Sequence, residues 1–539
     1  MIKNKIAIML NDKSIFRWQK NIINSIMLSQ NNTIVGFIVN SSARKDSAKV
    51  GVIPRLVYRF DKLRHKKTGL FDKVDISECF DFATISVSPI TESYYHSFSE
   101  VDIDNIKNLD ADLCIKFGFK ILKSDILNAF KLGIWSLHAG DSNRYRGSAP
   151  CIWEVLNREK ITGSILQKIN PTLDGGVILY KSFGKTDRVR IIRNKEKTYQ
   201  KIQYFPIRVL DRLSLLGHEE FSKRMECDDC LPAYSYQLYK NLSSYDLLIN
   251  YSRHLINVAK DKIKNESGKW IIRYKISNNK DNNYYCFAPY QFKDVIPPSD
   301  RFWADPFVIY EKDTYYVFIE EFIYKERIGF LSCFEIDKNG DYTNPKTILK
   351  KECHLSYPNV FKYNNEYYMT PETKENEKIA LYKCVKFPYE WEFYKDLICG
   401  INAVDPTLLF HDEKWWMFTN VSIDGVIPTT DELFIYYSDD LLTGEFHQHP
   451  LNPVISDVRV ARSAGKIFNY KGTLYRPSQD NSVRYGYGLN FNKIIKLTTT
   501  DYQEELSSSI HPKWSKKSKG IHTFNHDNKM TVIDEFRSF

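Results

Sequence analysis

Five times after residue 300 the chain repeats one pattern, a turn-like start followed about ten residues on by a short strand. The pairs are Ala304–Val308 with Thr314–Glu321, Tyr357–Phe361 with Glu366–Glu372, Val404–Leu408 with Lys414–Asn420, Arg462–Lys466 with Thr473–Asp480, and Gly520–Phe524 with Lys529–Glu535. With Pro306, Pro358, Pro406, Ala464 and His522 as equivalents, the steps are 52, 48, 58 and 58 residues. A period near 50 residues built of short strands matches one four-stranded blade, so the repeat predicts an all-β, five-bladed propeller over 285–539. The innermost strand of each blade then faces a central funnel. Polar residues at the repeated inner positions converge there: Asp305, Glu372, Asp405, Arg462 and His522, with Glu320, Glu321, Gln479 and Asp480 at related second-strand positions.

Composition supports a sheet-rich reading. The chain holds 35 Tyr, 33 Phe and 9 Trp, and doublets such as Tyr315-Tyr316, Tyr367-Tyr368 and Trp415-Trp416 mark successive repeats. This excess favours aromatic-lined pockets of the kind that hold sugars. Several carboxylates around one funnel would also suit a glycosidase, in which one acid protonates the leaving oxygen and a second activates water or attacks. An Asp-Pro at a blade start has a structural use as well, because Asp caps the turn and Pro fixes it.

The first 200 residues follow a different rule. Lys5–Leu10, Thr33–Val39, Asp112–Phe117 and Gly133–Leu137 read as short buried strands, and Arg17–Leu28 and Lys123–Phe130 as helices. This alternation predicts a mainly parallel, doubly wound α/β sheet over 1–185, with ligands at the carboxyl ends of its strands. Neither G-x-G-x-x-G nor a P-loop occurs, so a dinucleotide or nucleotide cradle is not supported. Residues 186–284 read as a charged, partly helical connector. Its cluster Arg188, Arg190, Arg193, Lys195 and Lys197 serves either an anionic ligand or a solvated face.

A length of 539 residues suits two to four domains, and a net charge of +10 over that length is too dilute for a dedicated nucleic-acid binder. No apolar run approaches the 18 residues or so of a membrane span, and Ile6–Leu10 is too short for a signal-peptide core. The ten scattered cysteines then read as reduced thiols, and the expected location is cytoplasmic. Cys227-Asp-Asp-Cys230 is either half a zinc site or redox pair, or a plain loop; no second half is present, and no metal is expected.

The segment Gly133–Leu179 carries the densest set of motifs: Ser136-Leu137-His138, Arg144-Tyr145-Arg146-Gly147-Ser148-Ala149-Pro150, Thr162-Gly163 and Leu173-Asp174-Gly175-Gly176. It resembles the folate-dependent formyltransferases, which include the methionyl-tRNA and amino-sugar formyltransferases, and the likeness covers about 1–185. The resemblance implies 10-formyltetrahydrofolate as cofactor, His138 as general base and Asp174 as its orienting carboxylate. The chemistry fits those residue types. An amine attacking a formyl carbon must lose a proton, and an imidazole with a pKa near 6.5 accepts it well. The family motif has Asn where this chain has Ser136, a shorter candidate donor for the oxyanion. Asp141 departs from the family loop and would meet a cationic amine or a sugar hydroxyl. Arg144, Arg146 and Gly147 are candidate substrate-binding residues; the two arginines meet either folate or phosphate, or a structural carboxylate.

The second half resembles the five-bladed propellers of glycoside hydrolase family 43. It also resembles the N-terminal region of the glucosamine inositolphosphorylceramide transferases, through His354–Pro358, Gln479-Asp480 and Gly520–Asn525. These likenesses imply a carbohydrate-facing pocket. Three readings follow. The chain formylates, or otherwise acylates, an amino sugar or nucleotide-linked sugar for surface polysaccharide, with the propeller holding the sugar. Alternatively, glycosidase or glycosyl-transfer chemistry sits at Asp305, Glu372 and Asp405, or the whole chain is a non-enzymatic glycan-recognition module.

Overall fold

A computed structural model describes residues 3–42, 52–63, 68–77, 82–92, 94–227, 234–263, 267–277, 288–373 and 376–538. The chain forms two compact units, Met1–Ile263 and Lys264–Phe539.

The first unit is built on a seven-stranded sheet. Its strands are β1 (Asn4–Leu10), β2 (Asn32–Asn40), β3 (Ala83–Val87), β4 (Leu113–Lys116), β5 (Ile134–His138), β6 (Ile161–Lys168) and β7 (Val177–Lys185), in the order β7-β6-β5-β4-β1-β2-β3. β5, β4, β1, β2 and β3 run parallel, while β6 and β7 add antiparallel pairs at one edge. β1 is central and buried on both faces, which is why its sequence is almost unbroken hydrocarbon. Helix Arg17–Leu28 buries Trp18, Ile22, Ile23 and Ile26, the spacing of one helical face, against the sheet. The expected helix at Lys123–Phe130 is a short 3-10 turn, Ser124–Asn128.

The stretch expected to be a connector is divided between the units. Helices Ile191–Ile202, Phe205–Cys227 and Ser244–Ile263 belong to the first. Phe205, Val209, Leu210, Leu213 and Phe221 share a core with Trp135 and Leu166 of the sheet. The basic cluster is spent internally. Arg193 and Lys197 pair with Asp187, Arg188 donates to the Glu159 carbonyl, and Arg190 donates to the Asp61 carbonyl. Cys227 ends a helix, and Cys230 lies outside the described residues.

The second unit consists of five antiparallel sheets. Four of them follow the chain in order, starting at Arg301–Glu311, Ser356–Tyr363, Asn402–His411 and Phe468–Tyr470; the third holds five strands and the others four each. The fifth pairs Gly268–Ile276, from the expected connector, with Met530–Ser538, in register from Gly268↔Ser538 to Ile276↔Met530. A charged setting hid this strand.

Adjacent sheets share apolar clefts, and the aromatic doublets fill them. Successive residues of a strand point to opposite faces, so each doublet serves two clefts. Tyr315 packs between the fifth and first sheets and Tyr316 between the first and second. Tyr367 and Tyr368 divide likewise, as do Trp415 and Trp416. Phe307 meets Tyr357 edge-on at 4.8 Å, Tyr363 meets Trp415 at 5.0 Å, and Phe491 meets Phe524 at 4.9 Å. These aromatic residues therefore serve packing between sheets rather than a sugar pocket.

Candidate functional site

In the first unit the sequence motif gathers at the carboxyl end of β5. His138 closes that strand, and Asp174 lies in the turn between β6 and β7 with φ +48°. His138 Nδ1 faces Asp174 Oδ1 at 3.6 Å. The ring's Nε2–H donates to the Tyr145 carbonyl at 2.8 Å, so the histidine is oriented from both sides. Asp174 Oδ2 accepts the Gly147 N–H at 2.9 Å. Gly147 has φ +105°, and a Cβ there would lie 2.3 Å from the Tyr239 carbonyl oxygen, so only glycine fits. Segment 234–240 thus straps the motif: Tyr239 exchanges backbone hydrogen bonds with Arg146 and Ser148, and its ring stands 4.7 Å from Tyr145.

The other residues expected at this site are engaged in place. Asp141 pairs with Lys181 at 3.0 Å and caps the turn at Asn143. Arg144 forms a two-pronged pair with Glu159 at 2.8 and 3.1 Å. Arg146 is buried, donates to the Ser142 carbonyl and lies over the Tyr234 ring. Of the alternatives open for these arginines, Arg144 takes the structural carboxylate, and Arg146 takes a backbone carbonyl.

Two residues escaped the sequence reading. Lys116 ends β4 in register with Ser136, and burial lowers its pKa to about 8 while Asp174 opposes that shift. Glu154 lines the crevice beside His138 together with Arg146 and Tyr239. It is 2% exposed, its Oε1 has no hydrogen-bond partner, and burial pushes its pKa up to about 8. Neither belongs to a recurring pattern; only strand register and burial reveal them.

In the second unit the inner starts of neighbouring sheets are bonded pairwise. Asp305, at φ +50°, accepts from the Tyr357 N–H and the Thr523 hydroxyl, linking the first sheet to the second and fifth. Tyr357 in turn bonds the Thr407 hydroxyl at 2.8 Å and accepts the Gly465 N–H at 2.7 Å. His522 stands 2.5 Å from Asp534 and 3.5 Å from Asp305, and stacks on Trp270 at 4.0 Å. Burial would lower its pKa, but the Asp534 and Asp305 carboxylates win and raise it to about 9.

Arg462 holds both oxygens of Asp405, at 2.6 and 3.2 Å, stands 3.6 Å from Glu372 and lies over the Tyr485 ring. Gln479 donates to the Ser463 carbonyl and, at 3.4 Å, to Asp405. Glu372 Oε2 has no hydrogen-bond partner, and burial followed by the Asp405 charge pushes its pKa well up. Asp305, Glu372, Asp405, Arg462, Gln479 and His522 therefore do come together. The remaining expected residues pair elsewhere: Asp480 with His511 at 3.0 Å, Glu321 with Arg301 at 2.7 Å, and Glu320 with His354 at 3.2 Å. Asp305, His522 and Asp534 have the residue types of a metal-ligating group. Their polar atoms are already committed to backbone and side-chain hydrogen bonds, an arrangement that fits a scaffold.

Comparison with known proteins falls along the same division. Residues 285–534 match the family described as glucosamine inositolphosphorylceramide transferase 1, N-terminal. The chain is 37% identical over 207 residues to glucosamine inositolphosphorylceramide transferase 1 of Oryza sativa subsp. japonica, covering 38% of this chain and 28% of that protein. The Arabidopsis thaliana protein of the same name is 32% identical over 281 residues, covering 51% and 35%. Methionyl-tRNA formyltransferase of Prochlorococcus marinus is 27% identical over 220 residues, covering 36% and 61%. The matches thus span about a third of the plant relatives and less than two thirds of the bacterial one. The chain is similar to two kinds of transferase. Among the described residues, no helix is long and apolar enough to cross a membrane.

Proposed function

We propose that the chain transfers a formyl group from 10-formyltetrahydrofolate to the amine of an amino sugar, with the second unit recognising the sugar or its carrier. The observation that carries this is the histidine held between Asp174 and the Tyr145 carbonyl at the carboxyl end of a parallel strand. In the reaction, the amine lone pair attacks the formyl carbon and the carbonyl electrons move onto oxygen. His138 takes the amine proton once its ring is released from one of its two partners. Bound 10-formyltetrahydrofolate would supply the formyl group, and His138 would pass the amine proton on to N10 as the C–N10 bond breaks and tetrahydrofolate leaves. Asp174 orients the ring and stabilises the imidazolium. Lys116, Ser136 and Glu154 are this chain's other groups near the reacting atoms. The residues fit the folate's chemistry through a general base and hydrogen-bond donors.

The five sheets, bonded start to start, support reading the second unit as a five-bladed propeller. The plant relatives' name pairs glucosamine with a transferase, which supports an amino sugar as acceptor. A cytoplasmic location suits a folate donor. Glycosidic-bond chemistry in the second unit has less support. Arg462 neutralises both oxygens of Asp405, and Asp305 is fully bonded to backbone and Thr523.

The test is to incubate the full chain with 10-formyltetrahydrofolate and a panel of nucleotide-linked amino sugars, and to follow tetrahydrofolate release and product mass. Formamide product on one acceptor supports the reading; none on any acceptor overturns it.

A further inference from the structure

Formyl transfer needs a hydrogen-bond donor where the carbonyl oxygen becomes negative. Several donors around His138 are already engaged. Its own Nε2–H is committed to the Tyr145 carbonyl, and the Gly147 N–H is committed to Asp174. Arg144 and Arg146 are held by Glu159 and Ser142. The sheet itself supplies two further side-chain donors at its strand ends, the Ser136 hydroxyl and the Lys116 ammonium.

The sheet places both on the reacting side. Along β4 and β5 the side chains alternate between two cores. Cys114 and Ile134 pack with Ala7 and Met9 on one face, while Ile115 and Trp135 pack with the helices on the other. Lys116, Ser136 and His138 follow Cys114 and Ile134 by even steps, so all three share one face at the carboxyl end. Lys116 pairs in register with Ser136 on one side and Met9 on the other. No carboxylate among the described residues forms an ion pair with Lys116; Asp174 acts on it from beyond ion-pair distance. A half-buried ammonium with no salt-bridge partner, beside the general base, is costly unless a ligand uses it.

We infer that Lys116 is a catalytic residue whose ammonium donates to the developing oxyanion, with the shorter Ser136 hydroxyl in support. The inference rests on the formyl-transfer reading above. As the amine's electrons form the new C–N bond, the carbonyl π pair moves to oxygen, and Lys116 meets that charge without giving up its proton. When the C–N10 bond breaks, the pair returns to restore C=O and the contact weakens. The groups that bear on Lys116 are Asp174 from the β6–β7 turn, itself 3.6 Å from His138, and Cys114 on its own strand. Because its pKa is near 8, it is mostly cationic at neutral pH and lost as a donor above that.

The experiment measures formyl transfer by the full chain and by Lys116→Met, Lys116→Arg and Lys116→Met/Ser136→Asn, with thermal melting as the folding control. Lys116→Met should lower kcat by about 10²- to 10³-fold, the usual loss of one oxyanion donor. The double variant, which sets a longer donor on the same face, should recover part of that. Wild type should lose rate above about pH 8, and Lys116→Arg should move that limb upward. A folded Lys116→Met variant that keeps full kcat overturns the donor role alone. Absence of transfer by wild type overturns the formyl-transfer reading and this role with it.

Discussion

The two units each gather charged and polar groups at one place, and they use them in opposite ways. In the second unit the cluster is committed apart from Glu372, whose Oε2 has no hydrogen-bond partner. Asp305 joins three sheets, Arg462 saturates Asp405, and Asp534 takes the His522 and Thr523 N–H groups. In the first unit the cluster is incomplete. Among the described residues Lys116 has no ion-pair partner and Glu154 keeps an orphaned buried oxygen, and His138 meets Asp174 at 3.6 Å, longer than a hydrogen bond. Convergence of charged residues alone does not separate chemistry from scaffold. The degree to which those groups are already satisfied does, because strength left unused in the free protein is available to a substrate.

The sharpest way to break this contrast is a pair of substitutions assayed for formyl transfer. His138→Ala should cost about 10²- to 10⁴-fold in rate with little change in melting temperature. Asp305→Asn should do the reverse, sparing the chemical step while destabilising the second unit. If Asp305→Asn abolishes transfer in a folded protein and His138→Ala does not, the roles assigned to the two clusters are exchanged.

The next largest effect concerns the buried ions of the second unit. Arg462→Met would strand Asp405 without its counter-charge and should cost about 3–5 kcal/mol in denaturant unfolding of that unit. A loss below about 1 kcal/mol would show that the cluster does not hold the sheets.

Titration separates the units further, and both trends run the same way with pH for different reasons. Glu154 is raised from 4.5 to about 8 by burial, so the folded state holds a proton that the unfolded state releases between those values. Stability of the first unit should therefore fall as pH rises from about 5 to 8, by up to about 1.4 kcal/mol per pH unit. Glu154→Gln should flatten that slope, raising the melting temperature at pH 8 and leaving it unchanged near pH 4. His522 is raised from 6.5 to about 9, so its contribution is complete below 6.5 and lost as pH climbs through 9. A smaller loss, confined to the second unit, should follow above pH 7 and disappear in His522→Gln.

The sequence revealed most where one element carries its own pattern. Helix Arg17–Leu28 and strand Asn4–Leu10 follow from local periodicity, and the aromatic doublets disclosed the sheet starts because each residue must fill its own cleft. It revealed least where the partner is remote. Gly268–Ile276 has no turn-like start or aromatic doublet to mark it as a member of the repeat, and its place in a sheet depends on pairing with Met530–Ser538. Lys116 looks like the polar end of a buried strand until its register with Ser136 is known. Asp141 and Arg144 stood in the right loop, but of the residues that occupy them Lys181 lies beyond the segment and Glu159 falls between its motifs.

The clasp between Gly268–Ile276 and Met530–Ser538 has a consequence in time as well as space. Arg273 and Glu535, bonded across it, are 262 residues apart in the chain. Loop closure over such a span is entropically slow. A chain emerging from the ribosome can form the intervening hairpins early, yet its first strand waits with an open edge until the far segment arrives. That interval is when the unit is most open to pairing with the wrong neighbour. Synthesis rate and chaperone supply should therefore govern the yield of this protein more than the strength of any single contact within it.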